Sequence, residues 1–263
     1  MEIQNSEKYP RMYVDPITAS KRQNWHFINK FLPLSKALGK PAFIDAAYSM
    51  DDFKALHKSL FKEPETDAVR IYIATYPDDV ASLDLETKYA GTLTTIYAPC
   101  KLANGSGGII FKEADPRINY IIHPYKGLMS IIPELANSLI DNYRNAIIKL
   151  PLLTQIVHDL GGNKSETDTR SILHLKEDFD ELLSESLFQQ ADYIQLKLTS
   201  YTHEETSVQG KEYLCRLTTA YELLDAAGRV IDITLRTRTG SEKKILTDDF
   251  NNGTLCPPKE CGD

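Results

Sequence analysis

The same series of residues occurs twice in this chain, in the same order and about 120 positions apart. Asp52-Phe53, for example, returns 126 positions later as Asp178-Phe179. The other matches pair Asn24-Trp25 with Asn142-Tyr143, Leu32-Pro33-Leu34 with Leu150-Pro151-Leu152, Ser59-Leu60-Phe61 with Ser186-Leu187-Phe188, Ile71 and Ile73 with Leu196 and Leu198, and Leu93-Thr94-Thr95 and Tyr97 with Leu217-Thr218-Thr219 and Tyr221. A repeat of this length predicts a repeated structural unit. We therefore expect a tandem duplication, with repeats at residues 10–125 and 126–250 and a Cys/Pro tail at 251–263.

Composition narrows the classes of protein to which the chain can belong. Apolar residues make up 42% and charged residues 25%, as in ordinary globular proteins. No apolar run approaches the ~18 residues that a membrane span needs, and the first eight residues lack the apolar core of a signal peptide. A net charge of −7 argues against a general nucleic-acid binder. These features predict a cytoplasmic protein with no membrane partner and no general nucleic-acid binding.

Two helices are predicted in each repeat. The first covers residues 17–38 in one repeat and about 134–160 in the other, each with apolar residues at helical spacing. Pro33 and Pro151 occupy matching positions inside these helices and predict a kink or a break in both. The second helix is predicted at residues 50–61 and at 177–188.

Strands follow the helices in both repeats. Alternating apolar residues predict a first strand at residues 69–74 and at 193–198. A second pair of strands is predicted at 92–97 and 215–221, and a third at 108–111 and 229–235. The connections are too short for crossover helices, so the sheets should be mainly antiparallel. The fold class is therefore predicted as α+β, with the two units packed about a pseudo-two-fold axis.

One strand offers a candidate ligand-binding site. Arg70, Tyr72 and Tyr76 are separated by even numbers of residues and should project from one face of the strand, and Asp78 follows at its end. A guanidinium, two phenols and a carboxylate can bind an anionic or planar ligand. The alternative is a solvated sheet face, with Arg70 paired to a carboxylate such as Asp78 or Glu86.

Familiar catalytic and cofactor motifs are missing from the sequence. The glycine-rich stretch at residues 104–108 precedes β-type residues and predicts a hairpin turn rather than a phosphate loop. The six histidines show no metal-binding spacing, and no nucleophile elbow is present. The sequence therefore favours a protein that is not an enzyme and has no cofactor.

The tail contains the one possible metal or thiol motif. Cys256 and Cys261 flank a diproline near the end of the chain. The pair can supply half of a zinc site, close a small disulfide loop, or form a recognition tail. A frayed end without function is the remaining alternative.

Part of the chain resembles a group of short bacterial proteins that have no assigned activity. The resemblance lies in Arg70-Ile71-Tyr72 with Tyr76-Pro77, in the strand at residues 91–97, and in the tail Leu255-Cys256-Pro257-Pro258. Members of that group carry an "RIY…YP" strand and end in an "LCPPxC"-like tail. Here two residues separate Pro258 from Cys261, which departs from that pattern. The resemblance implies a bacterial origin and a shared unit, and it implies no reaction.

Three functions follow from these observations. The leading hypothesis is a non-enzymatic binding or scaffolding protein that recognises a protein or small molecule through two pseudo-symmetric units. The second is an enzyme or ligand sensor with a site between the repeats, using Arg70, Tyr72, Tyr76 and Asp78. The third is a zinc- or thiol-dependent protein centred on Cys256 and Cys261.

Overall fold

The computed structural model describes residues 13–14, 16–105, 108–113, 119–123, 127–146, 149–161, 167–183, 190–203, 214–236, 242–246, 249–250 and 254–256. The α-helices are α1 (Pro16–His26), α2 (Leu32–Leu38), α3 (Met50–Leu60), α4 (Pro133–Arg144), α5 (Leu150–Asp159) and α6 (Lys176–Leu182). The strands are β1 (Tyr13–Val14), β2 (Ala46–Ser49), β3 (Ala68–Thr75), β4 (Leu93–Gly105), β5 (Gly108–Glu113), β6 (Asn119–His123), β7 (Gly127–Ile131), β8 (Ser171–Leu175), β9 (Tyr193–Ser200), β10 (Leu217–Leu224), β11 (Asp232–Arg236), β12 (Glu242–Leu246), β13 (Asp249–Phe250) and β14 (Thr254–Cys256). The protein is therefore a mixed α+β structure, as the sequence predicts.

Both proline-containing helices are interrupted. A π-helical turn, Phe27–Phe31, separates α1 from α2 just before Pro33. In the second half the helix stops at Arg144, and α5 begins one residue before Pro151. A proline lacks an amide hydrogen and its ring clashes with the carbonyl four residues earlier, so an uninterrupted α-helix is unfavourable at both places.

Two antiparallel sheets contain most of the strands. Sheet A has the order β1-β13-β10-β9-β2, and sheet B has the order β14-β8-β3-β4-β6-β7 with β5 also paired to β4. The hairpin β11–β12 forms a separate two-stranded sheet. Every strand pair within the sheets is antiparallel, which agrees with the prediction from the short connections.

The sheets pack face to face, and a helix covers the outer face of each. Val69 and Ile71 of β3 share one core with Ile194 and Leu196 of β9. The residues that alternate with these along each strand point to the opposite, outer face of their sheet. On sheet B these outward residues pack against α4, and on sheet A α1 lies over β9. The layers therefore run α1, sheet A, sheet B, α4.

Each sheet combines strands from both halves of the sequence. Edge strand β2 comes from the first half but pairs with β9, whereas β8 comes from the second half and pairs with β3. The division of the chain between the two sheets therefore does not follow the predicted boundary between residues 125 and 126. That boundary concerns the repeats in the sequence, and it stays a prediction.

The hydrogen-bonding registers of the two sheets correspond residue by residue. In sheet B, Ile71 lies opposite Tyr97, and in sheet A their sequence matches Leu196 and Tyr221 lie opposite each other. Adding 125 to each residue number in β3 and 124 to each residue number in β4 converts every β3–β4 pair into a β9–β10 pair. β2 and β8 also have corresponding registers, because Ala46 lies opposite Leu196 as Ile172 lies opposite Ile71.

Matched aromatic residues meet in the centre of the molecule. The rings of Phe53 in α3 and Phe179 in α6 stack with centroids 5.7 Å apart and an interplanar angle of 11°. Tyr97 and Tyr221 belong to the same core, and their side chains lie close enough for each to influence the pKa of the other. Burial raises the pKa of Tyr97 to about 12, so both phenols are protonated at neutral pH.

Candidate functional site

Arg70 and Tyr72 do share a face of β3, but α4 covers that face. Both side chains are buried, and Tyr72 belongs to the core that includes Ala136 and Leu139 of α4. The Tyr72 hydroxyl donates a hydrogen bond to Glu113, and the Arg70 guanidinium lies 6.0 Å from the centroid of the Tyr72 ring. Burial raises the pKa of Tyr72 above its usual range. The alternative of a solvated sheet face is therefore wrong, and α4 separates these groups from solvent.

Tyr76 and Asp78 lie at the other end of the strand. Six residues of extended chain place Tyr76 roughly 20 Å from Arg70. The Tyr76 ring packs edge-on against Tyr89, at 6.1 Å between centroids. Asp78 is an exposed carboxylate beside Lys40 and Gly91. Tyr76 therefore shares an apolar core with Tyr72, whereas Asp78 is exposed, and the four residues predicted from the sequence do not form one site.

The tail prediction falls mainly outside the described residues. The backbone of Cys256 belongs to β14, where it pairs with Ser171 of β8. Its side chain and the whole of Cys261 lie outside the part of the chain that the structure describes. Among the described side chains, no group of three or more His, Cys, Asp or Glu residues is arranged to hold a metal ion.

A cleft lies on the outer side of sheet A, between the first helix and β9. It has a volume of about 360 Å³. Its lining consists of Gln23, Asn24, His26, Phe27 and Phe31 from the helix, Phe43 and Asp45 from the segment before β2, and Lys197 and Leu198 from β9. A concave surface with aromatic walls and a few convergent polar groups is the usual form of a small-molecule site. We call it the α1 cleft.

The π-helical turn shapes the wall of the α1 cleft. The Leu32 amide donates its hydrogen bond to the carbonyl of Phe27, five residues back, which widens the helix by one residue. Phe27 and Phe31 consequently stack, with ring centroids 5.6 Å apart and planes inclined by 17°. Phe27 remains 50% exposed at the mouth of the cleft. Such turns occur frequently at functional sites.

Charged groups meet on the sheet side of the cleft. Lys197 forms an ion pair of 2.6 Å with Glu222 of β10, and Gln23 donates a hydrogen bond of 2.9 Å to the same carboxylate. The β2–β9 register, extended by one residue, places Asp45 opposite Lys197. Burial raises the pKa of Asp45, and the negative charge of Glu222 adds to this effect while Lys197 opposes it.

His26 is held in its neutral form. Its Nδ1 atom lies 3.0 Å from the hydroxyl of Ser200. Burial, together with the positive charge of Lys30, lowers the pKa of His26 to about 3. A histidine with this pKa is a poor general base near neutral pH, and the Ser200 side chain is itself buried. We therefore interpret the His26–Ser200 pair as a structural contact and not as a nucleophile with its base.

A buried ion pair involves the π-helical turn that supplies Phe27 and Phe31 to the cleft. Lys30, in the π-helical turn, forms an ion pair with Asp168, and both side chains are almost fully inaccessible to solvent. The other oxygen of Asp168 accepts the amide hydrogens of Thr169 and Leu217 at 2.7 and 2.8 Å. Cys215 lies close by and adopts a φ of +63°, a backbone conformation that residues other than glycine rarely take. These contacts fix the π-helical turn to the end of sheet A.

A second concavity of about 470 Å³ lies at the end of α3. Its rim is formed by exposed residues of the α3–β3 connection, among them Lys62, Glu63 and Glu65. Lys101 approaches Glu65 only at 3.9 Å, an exposed ion pair that contributes little. The α1 cleft is the better candidate because it alone of the two combines several aromatic walls with buried, paired polar groups.

Sequence reasoning missed the residues of the α1 cleft. They come from three segments, the farthest of which are separated by 175 positions from Gln23 to Leu198, and no spacing rule connects them. One signal was present. The helix carries apolar residues beyond those needed for one buried face, and Ile17, Phe27, Ile28 and Leu32 are exposed.

Comparison with other proteins does not identify a family. No protein-family model, curated protein or solved structure matches this chain. None of the described helices is both long and apolar enough to cross a membrane. The inference of function therefore depends on the geometry of the cleft.

Proposed function

We propose that this protein binds a small organic molecule in the α1 cleft. The observation that carries the proposal is the convergence of Phe27, Phe31 and Phe43 with Asp45 and Lys197 in one solvent-accessible concavity. Apolar rings supply contact area, and the charged groups fix the orientation of a ligand. This is the non-enzymatic binding function favoured by the sequence, now assigned to particular residues.

We further propose that the chain is a tandem duplication in which the two repeats exchange their N-terminal parts. The corresponding registers of the two sheets support it, and so does the reciprocal placement of β2 and β8. Two-fold symmetry brings a residue into contact with its own counterpart only near the axis. Phe53 with Phe179, and Tyr97 with Tyr221, make contacts of this kind.

Under this proposal the α1 cleft lies at the junction of the repeats. Its helix, Phe43 and Asp45 come from the first repeat, whereas Lys197 and Leu198 come from the second. A single repeat would therefore lack half of the cleft. The duplication provides a reason for a binding site at this place. Once both repeats are encoded in one chain, the residues on the outer faces of the two sheets can change independently of each other.

Binding in the α1 cleft can be tested with a variant that fills it. Asn24 is exposed and lines the cleft, so Asn24→Trp places a large ring in the cavity. Lys36→Trp is the matched control, because Lys36 is exposed on α2 and does not line the cleft. A library of small aromatic and aliphatic compounds is screened by thermal shift against all three proteins.

We expect compounds that raise the melting temperature of the unmodified protein and of Lys36→Trp, but not that of Asn24→Trp. Both variants should retain the far-ultraviolet circular dichroism of the unmodified protein. Compounds that stabilise all three proteins equally would show that binding occurs elsewhere and would contradict the proposal.

A further inference from the structure

We propose that the ligand of the α1 cleft is an organic cation, an amine attached to an aromatic or compact apolar body, and that Asp45 binds its charged nitrogen. This inference rests on the proposed binding function and specifies the class of ligand. Its basis is the charge balance of the cleft, the position of Asp45, and the aromatic walls.

The charged groups of the cleft leave one negative charge without a counterpart. Among the described residues that line the cleft, Asp45 is the one carboxylate, Lys197 is the one cation and His26 is neutral, while the buried Glu222 lies next to the lining as the partner of Lys197. Lys197 is already engaged, because its ammonium lies 2.6 Å from Glu222. The local charge is therefore −1, on Asp45. An anionic ligand would meet this carboxylate without finding a free positive group.

Asp45 is positioned to receive a ligand. The described part of the chain places no cation within ion-pair distance of its carboxylate, although Lys197 is close enough to influence its charge. Asp45 remains accessible to solvent on one side, so a molecule can reach it. Burial raises its pKa and Lys197 offsets this only in part, so a second positive partner would stabilise its ionised form further. A bound cation would supply that partner.

The walls of the cleft favour the same class of ligand. Three phenylalanine rings line it, and the stacked pair Phe27–Phe31 stands at its mouth. The face of an aromatic ring attracts a cation and also packs against an apolar body. The volume of about 360 Å³ fits a molecule of one or two rings and not a polymer.

The test compares three probes that have the same ring and different charge: 2-phenylethylamine, 2-phenylethanol and phenylacetate. Dissociation constants are measured at pH 7 by chemical-shift titration of the whole protein. The variants are Asp45→Asn, which removes the charge and keeps the shape, and Asp51→Asn, the same change at an exposed position on α3 outside the cleft.

For the unmodified protein we expect the amine to bind more tightly than the alcohol, and phenylacetate to bind most weakly. Asp45→Asn should weaken the amine by about 10-fold or more, since a hydrogen bond to a charged group is lost. The same variant should change the affinity for the alcohol by less than about two-fold, and Asp51→Asn should change neither.

Two outcomes overturn the inference, and a third overturns the proposed function. Tighter binding of the alcohol or of phenylacetate in the cleft would leave the binding function intact and show that the ligand is not a cation. Equal affinity of the amine for the unmodified protein and Asp45→Asn would show that Asp45 is not the recognising group. If no probe shifted any resonance of a cleft residue, the binding function itself would be contradicted.

Discussion

The outer faces of the two sheets have the same backbone register and opposite characters. On sheet B, Tyr72 lies opposite Ser171, and α4 closes over them. At the corresponding places on sheet A are Lys197 and Asp45, and there α1 leaves a cleft. A single sheet geometry can therefore give a sealed surface or an open site, depending on a few side chains.

The covering helices differ in the same way. Toward sheet B, α4 presents Ala136, Leu139 and Ile140, which belong to one apolar core with Tyr72. Toward sheet A, α1 presents Gln23 and His26, which need polar partners and hold the helix through individual hydrogen bonds. Apolar packing fills space, whereas a few directed polar contacts leave room between them. The cleft therefore lies on the side of the molecule where directed polar contacts help to hold the helix.

The largest expected effect concerns the buried ion pair at the π-helical turn. Asp168→Ala leaves Lys30 buried without its counter-charge and removes the acceptor of two backbone amides. We expect a loss of about 3–5 kcal/mol in the free energy of unfolding, measured by urea denaturation. Asp78→Ala, at an exposed carboxylate near sheet B, should change it by less than about 0.5 kcal/mol. A loss below about 1 kcal/mol for Asp168→Ala would show that this pair does not hold the π-helical turn in place.

The second effect contrasts the two helices directly. Leu139→Ala removes a fully buried side chain between α4 and sheet B and should cost about 2–5 kcal/mol. Gln23→Ala removes one hydrogen bond between α1 and Glu222 and should cost about 1 kcal/mol. Both are measured by urea denaturation. Similar losses for the two variants would remove the proposed difference between apolar and polar attachment.

The third effect is a dependence of stability on pH, which comes from His174 in the core and His26 beside the cleft. In the unfolded chain each imidazole takes up a proton near pH 6.5, whereas burial lowers the folded pKa to about 4 for His174 and about 3 for His26. The unfolded state thus binds more protons below pH 6.5, and the stability contributed above that pH is lost as the pH falls toward 4. Each histidine should add a slope of up to about 1.4 kcal/mol per pH unit.

A variant of His174 isolates the contribution of that histidine to this slope. His174 packs edge-on against Phe179 and Tyr221, so His174→Phe suits its surroundings and should reduce the slope between pH 6 and 4. Urea denaturation at a series of pH values measures it. An unchanged slope in His174→Phe would show that His174 is not kept neutral by burial.

The smallest expected effect is at Asp45. Because its pKa is raised, the ionised carboxylate is less favourable in the folded than in the unfolded protein at neutral pH. Asp45→Asn should therefore leave the free energy of unfolding unchanged or raise it by up to about 0.5 kcal/mol. Binding residues often carry such a cost to stability. A loss above about 1 kcal/mol, measured by urea denaturation, would give Asp45 a structural role instead.

The sequence predicted the strands and the helix breaks because these depend on local chemistry. Alternation identified the buried set of β3, with Ile71 at its centre, and Pro33 and Pro151 marked both interruptions. The pairing of β2 with β9 and of β8 with β3 could not be predicted, since strands of four and five residues have no local feature that selects one sheet over the other. The pairing of β2 with β9 depends on contacts between segments about 150 residues apart.

The candidate site was less predictable than the fold. Alternation correctly placed Arg70 and Tyr72 on one face, but it does not reveal what covers that face, and α4 covers it. The π-helical turn depends on a hydrogen-bond shift near Pro33 that composition does not show. Asp45 and Lys197 are neighbours only because β9 lies beside the segment before β2 in the folded protein.

A map of amide chemical-shift changes on titration with 2-phenylethylamine, 2-phenylethanol and phenylacetate tests most directly the claim that one outer face binds and the other is sealed. The account predicts changes at Phe31, Phe43 and Leu198 around the α1 cleft, and none at Tyr72 or Leu139 under α4. Changes concentrated at Tyr72 and Leu139, or spread evenly over both faces, would contradict it.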